Sequence, residues 1–310
     1  MNNRKSKHVL VLINQKAGMP TAFDLIRRAL DRYWDVNGID LSYQFCQSQS
    51  DCKSKAERAV KQDFDTVLVV GGDGTVNTVG QALIGTDISL GVIPSGSGNG
   101  FARHFGIPLR PEKAIRVLSS AEVKYIDVGL VNEKPFFVTC SMAWDASFVK
   151  SFQKKRIRGV IPYVFAGVQG LFEYHPQEIV VKLDSGKKFI FSDVLLFTIA
   201  NLTQYGAGAK IAPDALADDG FLELVVAMRQ DIPKLIANVG RLFNGSIKKI
   251  PEIIFKRFKL LTVNRPQAGF IQIDGELVNV PAEVKVQVLP KALKVLVPNE
   301  SRNEYMVKIF

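Results

Sequence analysis

A chain of 310 residues with 47% hydrophobic and 23% charged side chains has room for two domains with separate cores, and it excludes a disordered tail, a collagen or a low-complexity polymer. The net charge of +10 falls in two places: residues 150–158 carry five basic and no acidic side chains, and residues 241–259 carry six basic and one acidic. Such patches suit a polyanionic partner, either an anionic membrane surface or a nucleic acid, and argue that the rest of the surface is electrically balanced. The three cysteines, Cys46, Cys52 and Cys140, have neither C-x-x-C spacing nor an even count, so no disulfide framework or zinc ribbon is expected. The apolar run near the N-terminus is too short for a signal-peptide core, and no stretch reaches the roughly 18 apolar residues of a membrane span. A reducing, cytoplasmic location is the expectation.

In chain order, residues 9–14 form a short apolar run that predicts a strand, and 23–34 place apolar residues at helical spacing. Residues 41–46 alternate as a strand does, and 54–61 read as a polar helix. The runs at 66–70 (TVLVV) and 89–93 (SLGVI) are each stopped by a glycine- or proline-containing loop and followed by a helix-like stretch. Repeated strand, helix and strand units predict a doubly wound parallel α/β sheet whose ligand crevice lies at the carboxyl ends of the strands. After about residue 127 short strand-like runs dominate: 128–131, 135–139, 179–183, 188–191, 194–200, 221–227, 260–263, 269–273 and 284–289. They predict a mainly antiparallel β-sandwich domain, interrupted by helix-like stretches at 160–174 and 232–243 beside the two basic patches. The domain boundaries expected are 1–128, completed by 295–310, and 129–294.

Gly71-Gly72-Asp73-Gly74-Thr75 directly follows the strand TVLVV and precedes a helix-like run. Three glycines permit positive φ and close backbone approach, Thr75 is placed to cap the helix, and the helix start favours an anion. The pattern suits a nucleotide phosphate, or more plainly a tight turn with an exposed acid. Asp73 would repel phosphates unless it holds magnesium or meets a hydroxyl about to lose its proton. A second glycine-rich loop, Ser95-Gly96-Ser97-Gly98-Asn99 before Gly100-Phe101-Ala102-Arg103, follows the next strand and would share the same crevice. Phe101 stands where a dinucleotide-binding fingerprint needs a small residue, and no Walker A sequence is present.

GGDGT with Asn77, the segment PSGSGNGFAR about twenty residues later, and the triplet Asp274-Gly275-Glu276 together resemble the diacylglycerol kinase family of lipid kinases over almost the whole chain. The resemblance implies ATP on the N-terminal domain, a β-rich lipid domain, and chemistry between them. It implies that Asn14 and Gly18 contact the nucleotide, that residues 71–75 embrace its phosphates, and that Ser95, Gly96, Ser97, Gly98 and Asn99 line the same pocket. Glu276 becomes the general base on a lipid hydroxyl. Asp127 matches an acidic position tied to the active-site Mg2+ network, and Asp218 and Asp219 match a segment that holds a second, structural Mg2+. Taken alone, each acid is more often a solvated surface charge or a helix cap than a catalyst, and Asp218 and Asp219 are equally consistent with a plain turn.

Two departures matter. Gly100 stands where bacterial relatives usually carry an aspartate, and Ser141-Met142-Ala143-Trp144-Asp145-Ala146 keeps the aspartate of the usual Gly-x-Gly-Phe-Asp-Ala while losing both glycines. The expected activity is ATP- and Mg2+-dependent phosphorylation of a lipid hydroxyl, by a cytoplasmic protein that docks transiently on membrane through its two basic patches. Phe243, Ile250, Ile253, Ile254, Phe255 and Phe258 among the cations of the second patch suit an interfacial segment as well as an ordinary core. Nucleic acid is the less favoured partner, and a homodimer is allowed. Two other readings stay open: an NAD kinase, which shares the GGDG loop, and a non-catalytic nucleotide-binding regulator.

Overall fold

The computed structural model describes residues 7–14, 20–34, 38–143, 178–184, 186–229 and 232–299. The expected patch at 150–158, the helix at 160–174, Gly18 and Asp145 lie outside the described residues. The chain divides into two compact units, residues 1–126 with 291–310, and residues 127–290.

The first unit is built on strands β1 (Lys7–Asn14), β2 (Ile39–Cys46), β3 (Thr66–Gly71) and β4 (Ser89–Pro94), all parallel and ordered β2-β1-β3-β4. All six residues of both β3 and β4 are buried. Parallel strands covered on both faces need apolar side chains at every position rather than at alternate ones, which is why these segments read as continuous runs. The helices are α1 (Pro20–Tyr33), α2 (Gln49–Val60), α3 (Asp73–Leu83), α4 (Gly100–His104) and α5 (Pro111–Leu118). Helix α1 packs with α5 and α2 with α3. Connections that run in opposite directions along a right-handed parallel sheet must use opposite faces, and this order has one reversal, at β1. Buried Ile26, Ala29 and Leu30 of α1 follow the helical period, and the Trp34 indole N–H donates to the Ile115 carbonyl oxygen at 3.0 Å. Helix α2 opens on Ser48, whose hydroxyl accepts from the Asp51 amide, and ends at a bend after Val60.

Cys46, the last residue of β2, and Cys52, in the first turn of α2, form a disulfide with Cα atoms 5.0 Å apart, and both are buried. This corrects the expectation of unpaired cysteines. The β2–α2 turn brings the two side chains back together over a separation of only six residues, a closure that spacing rules for frameworks do not test. Cys140 is free and buried.

The second unit is a sandwich of antiparallel strands. Its strands are β5 (Glu122–Val131), β6 (Lys134–Phe136), β7 (Thr139–Ser141), β8 (Ile179–Leu183), β9 (Lys187–Phe191), β10 (Val194–Ala200), β11 (Gln204–Gly206), β12 (Ala209–Lys210), β13 (Leu222–Met228), β14 (Ile254–Phe258), β15 (Leu260–Asn264), β16 (Gly269–Ile273), β17 (Glu276–Val280) and β18 (Glu283–Val297). Strands β5 and β18 continue into the first unit, where Val295 pairs with Leu90 of β4 and Lys294 ion-pairs with Asp87. One layer runs β14-β13-β10-β7-β16-β17, and in the other β15 pairs with β18 and β8, and β8 with β9. Inward residues of both layers share one core, including Phe197, Ile199, Leu224 and Ile271 from the first and Val181, Leu261, Val263 and Val286 from the second. Burying each is worth about 1.5–3 kcal/mol. A smaller cluster on the other face of the six-stranded layer joins Val225 and Ala227 to Ile247, Ile250 and Ile253. Leu235 and Leu242, from α6 (Ile232–Ala237) and α7 (Gly240–Asn244), pack on it.

The run expected as one strand at 135–139 is two, β6 and β7. The amides of Phe137, Val138 and Thr139 turn to the Asp274 carboxylate instead of a continuous ladder.

Candidate functional site

In the first unit, the loops after β3 and β4 are joined through their backbones. The Ser95 amide donates to the Gly71 carbonyl oxygen at 2.9 Å, and a Cβ on Gly96 would lie 2.5 Å from the Gly72 Cα. No described glycine of either loop has positive φ; the left-handed residue is Asn99, at φ 51. Of the two reasons expected for these glycines, positive φ is not found, whereas the lack of a Cβ is needed: Gly72 and Gly96 meet backbone to backbone, and at Gly71 and Gly98 a Cβ would meet side chains. A Cβ on Gly71 would sit 2.6 Å from that of Thr75, and one on Gly98 would sit 2.9 Å from Asp73 Oδ2.

Asp73 opens α3, with Gly72 as the residue before the helix. Its carboxylate accepts from the Gly100 amide at 3.0 Å and the Phe101 amide at 3.1 Å, so the acid of the first loop caps the helix of the second. Thr75 does not cap α3, as its side chain instead accepts from Asn14 Nδ2 at 2.7 Å, tying the end of β1 to the same loop. Asn99 closes the second loop on itself: its Oδ1 accepts from the Gly96 amide at 3.0 Å and its Nδ2 donates to the Gly96 carbonyl oxygen at 2.8 Å. The Ser95 and Gly96 amides are thus used inside the loops. In the first turn of α3 the Thr75 and Val76 amides donate to the Gly72 carbonyl oxygen at 2.9 and 3.1 Å, which leaves the Asp73 and Gly74 amides for an anion. The Ser95 hydroxyl oxygen is buried and has no hydrogen-bond partner in the protein. An orphaned hydroxyl beside a glycine cradle and a helix start fits a phosphate-bearing nucleotide. Asn14, residues 71–75 and residues 95–99 are thus brought together, as the sequence led one to expect.

In the second unit, Asp127 is fully buried; its Oδ2 accepts from the Gly220 amide at 2.6 Å, and its own amide donates to the Ala217 carbonyl oxygen at 2.6 Å. Asp127 therefore pins the turn that carries Asp218 and Asp219. Asp218 is exposed, while Asp219 accepts from the Phe221 amide and ion-pairs with Arg257, which also reaches Glu223 at 3.2 Å and lies 4.4 Å from the Phe221 ring centroid. Burial pushes the Glu223 carboxyl above its ordinary range, with Arg257 opposing.

Among the described residues no three His, Cys, Asp or Glu side chains converge as a metal site. Asp127, Asp218 and Asp219 do not form a carboxylate cage. Among the described residues Asp73 is the carboxylate that stands at the glycine loops, and Mg2+ needs only one or two carboxylates when phosphates supply its other ligands.

Glu276 is exposed at the start of β17, opposite Ile273. Asp274 and Gly275 form the two-residue turn of the β16–β17 hairpin with φ of 45 and 89, the pair of positive values a type I′ turn requires. Asp-Gly between two strand-like runs is the strongest short hairpin signal, so this turn could have been read from the sequence. Asn201, which donates to the Asp127 carbonyl oxygen, and Arg257, which pairs with Asp219 and Glu223, carry no sequence signature.

The diacylglycerol kinase catalytic domain matches residues 8–131, and the YegS C-terminal NAD kinase beta sandwich-like domain matches residues 139–297. A diacylglycerol kinase of Mycobacterium tuberculosis is 30% identical over 299 residues, spanning 94% of this chain and 95% of the relative. A Yersinia enterocolitica protein described as a probable lipid kinase YegS-like is 27% identical over 302 residues, spanning 94% and 97%. The crystal structure of a diacylglycerol kinase from Bacillus anthracis superposes with a TM-score of 0.75 at 20% identity, covering 96% of this chain and 98% of that one, a likeness of fold. Matched in both of its units and along nearly its full length, this chain belongs to the diacylglycerol kinase family, joining a diacylglycerol kinase catalytic domain to a YegS-type C-terminal domain.

Proposed function

We propose that the protein transfers the γ-phosphoryl group of ATP to a hydroxyl of a lipid. The observation that carries this reading is the pair of backbone-joined loops around Asp73, which presents the first turn of α3 beside an orphaned serine hydroxyl. ATP phosphates would lie on the α3 amides, with Asn14 holding Thr75 in place. Asp73 would hold Mg2+, which neutralises phosphate oxygens when bound. Glu276, exposed and without a role in the core, would take the proton from the acceptor hydroxyl as it attacks.

The acceptor class, a diacylglycerol, a sphingoid or a related lipid, is supported by the names of the relatives. Transient docking on an anionic membrane is supported by the surface of the second unit. Ile236, Val239 and Phe243 of the α6–α7 segment are exposed while their neighbours Ile232, Leu235 and Leu242 face the core. Arg241 and Lys249 flank them without ion pairs among the described residues. Docking through such a face needs no spanning helix, and no described helix is long and apolar enough to be one.

The test is transfer of label from radiolabelled ATP, with Mg2+, to a panel of diacylglycerol, sphingoid, ceramide and phosphatidylglycerol acceptors. A labelled lipid is expected, and its absence across the panel sinks the reading. Glu276→Gln is expected to lower turnover by about 10²–10⁴-fold while ATP binding is retained.

A further inference from the structure

We infer that Asp274 is a positioning residue for Glu276: its carboxylate locks the tip of the β16–β17 hairpin onto residues 137–139 and so fixes where Glu276 stands. This rests on the proposed role of Glu276 as base and adds to it the device that aims the base.

An exposed two-residue hairpin tip is a place where backbone frays, and Gly275 and Glu276 are both exposed. A group that must meet a reacting proton tolerates little wandering, since a misplacement of about 1 Å can cost 10²-fold in rate. The Asp274 carboxylate holds the tip. Asp274 Oδ2 accepts from the Phe137 amide at 2.7 Å, and Oδ1 accepts from the Val138 amide at 2.8 Å and the Thr139 amide at 2.9 Å. The Asp274 amide returns a bond to the Thr139 carbonyl oxygen at 2.9 Å. Bonds to an ionised acceptor are about twice as strong as neutral ones.

The anchor is itself immobile. Phe137, Val138 and Thr139 are 1%, 8% and 2% exposed. The Phe137 carbonyl oxygen accepts from Asn201 Nδ2 at 3.0 Å, and the Val138 carbonyl oxygen accepts from the Asn201 amide at 3.0 Å. The same Asn201 Nδ2 donates to the Asp127 carbonyl oxygen at 2.9 Å, so the segment that receives Asp274 is tied to the fully buried Asp127. The ladder between β16 and β7 ends at Ile273 opposite Cys140, and the Asp274 carboxylate carries the attachment on to residues 137–139, where no strand pairing is left to hold the tip.

Asp274→Asn is the informative change, because asparagine accepts the left-handed backbone and preserves the turn. Its amide nitrogen cannot accept, so at least one of the three N–H groups loses its partner. The assay follows transfer of label from ATP with Mg2+ to a total bacterial lipid extract in detergent micelles, using the full chain. Asp274→Asn should lower kcat about ten- to a hundredfold, leave the KM for ATP within about twofold, and speed hydrogen exchange at the amides of 137–139. In a Glu276→Gln background it should lower the residual turnover no further, because a positioning residue has nothing left to position. An equal fall in both backgrounds, or an unchanged kcat, overturns the inference. Should Asp274→Asn not fold, Asp274→Glu keeps the charge and displaces it by one methylene; a wild-type kcat in that variant also overturns it. Full turnover in Glu276→Gln alone, or no labelled lipid from the unaltered protein, overturns the base reading together with the inference, whereas a normal Asp274→Asn beside a dead Glu276→Gln removes only the inference.

Discussion

At Gly96 a single hydrogen atom decides whether two loops can meet. A methyl group there would press on the Gly72 Cα at 2.5 Å, a backbone atom that has no rotamer by which to yield. Gly96→Ala should therefore separate the loop around Asp73 from the loop that holds Asn99, and weaken ATP binding at least about tenfold by isothermal titration. Gly240→Ala is the matched control, since a Cβ at that helical glycine meets nothing within 4 Å; it should be neutral or stabilise by about 0.4–1 kcal/mol. ATP affinity unchanged in Gly96→Ala would mean that the two loops do not act together on the nucleotide. That these glycines belong to a phosphate loop was legible in the sequence. Why they are glycine was not, because the contact that excludes a side chain joins residues 24 apart, and no local conformational rule contains it.

At the scale of elements, β14 is an edge strand whose Arg257 stands opposite Glu223 of the neighbouring β13 and reaches Asp219 in the turn before it. Glu223 is largely buried, so its folded-state carboxyl titrates above its unfolded one, and Arg257 keeps that rise in check. Replacing Arg257 by Gln should raise the Glu223 value further. A raised carboxylate costs stability where the group is ionised in the unfolded chain, and the cost disappears once pH falls below the unfolded value of about 4.3. Thermal melts of Arg257→Gln should thus show a deficit of about 1 kcal/mol at neutral pH that shrinks as pH is lowered towards 4. A deficit constant with pH would assign the role of Arg257 to its contact with the Phe221 ring rather than to charge. The apolar run of β13 could be read from the sequence, but the partner of Glu223 could not, because antiparallel register is set by which strands become neighbours.

For the whole molecule, the charge excess read from the sequence changes character once the acids that fold against it are included. Lys248 pairs with Asp214, and Arg257 with Asp219 and Glu223, which leaves Arg241, Lys249, Lys256 and Lys259 without ion pairs among the described cations of 241–259. A membrane reading then depends on the apolar stripe as much as on charge. Ile236→Ser with Phe243→Ser should weaken cosedimentation with phosphatidylcholine vesicles containing phosphatidylglycerol. Arg241→Glu with Lys249→Glu should weaken it about tenfold or more at low salt. Binding that survives both pairs of changes would place the docking surface elsewhere.

The sequence by itself determined the parallel strands of the first unit, the antiparallel character of the second and the loops that gather around Asp73. Each of these follows from hydrophobic period or from residues whose backbone properties are local. Only the tertiary structure decided that Cys46 and Cys52 are bonded, that Asp73 caps the second loop's helix, that Arg257 takes up Asp219 and Glu223, and that Asp274 holds residues 137–139. These are pairings between short polar or thiol groups. Their energy depends on distances of about 3 Å, set by the packing of segments that are separate in the chain or turn back on one another, and a linear pattern carries no measure of such distances.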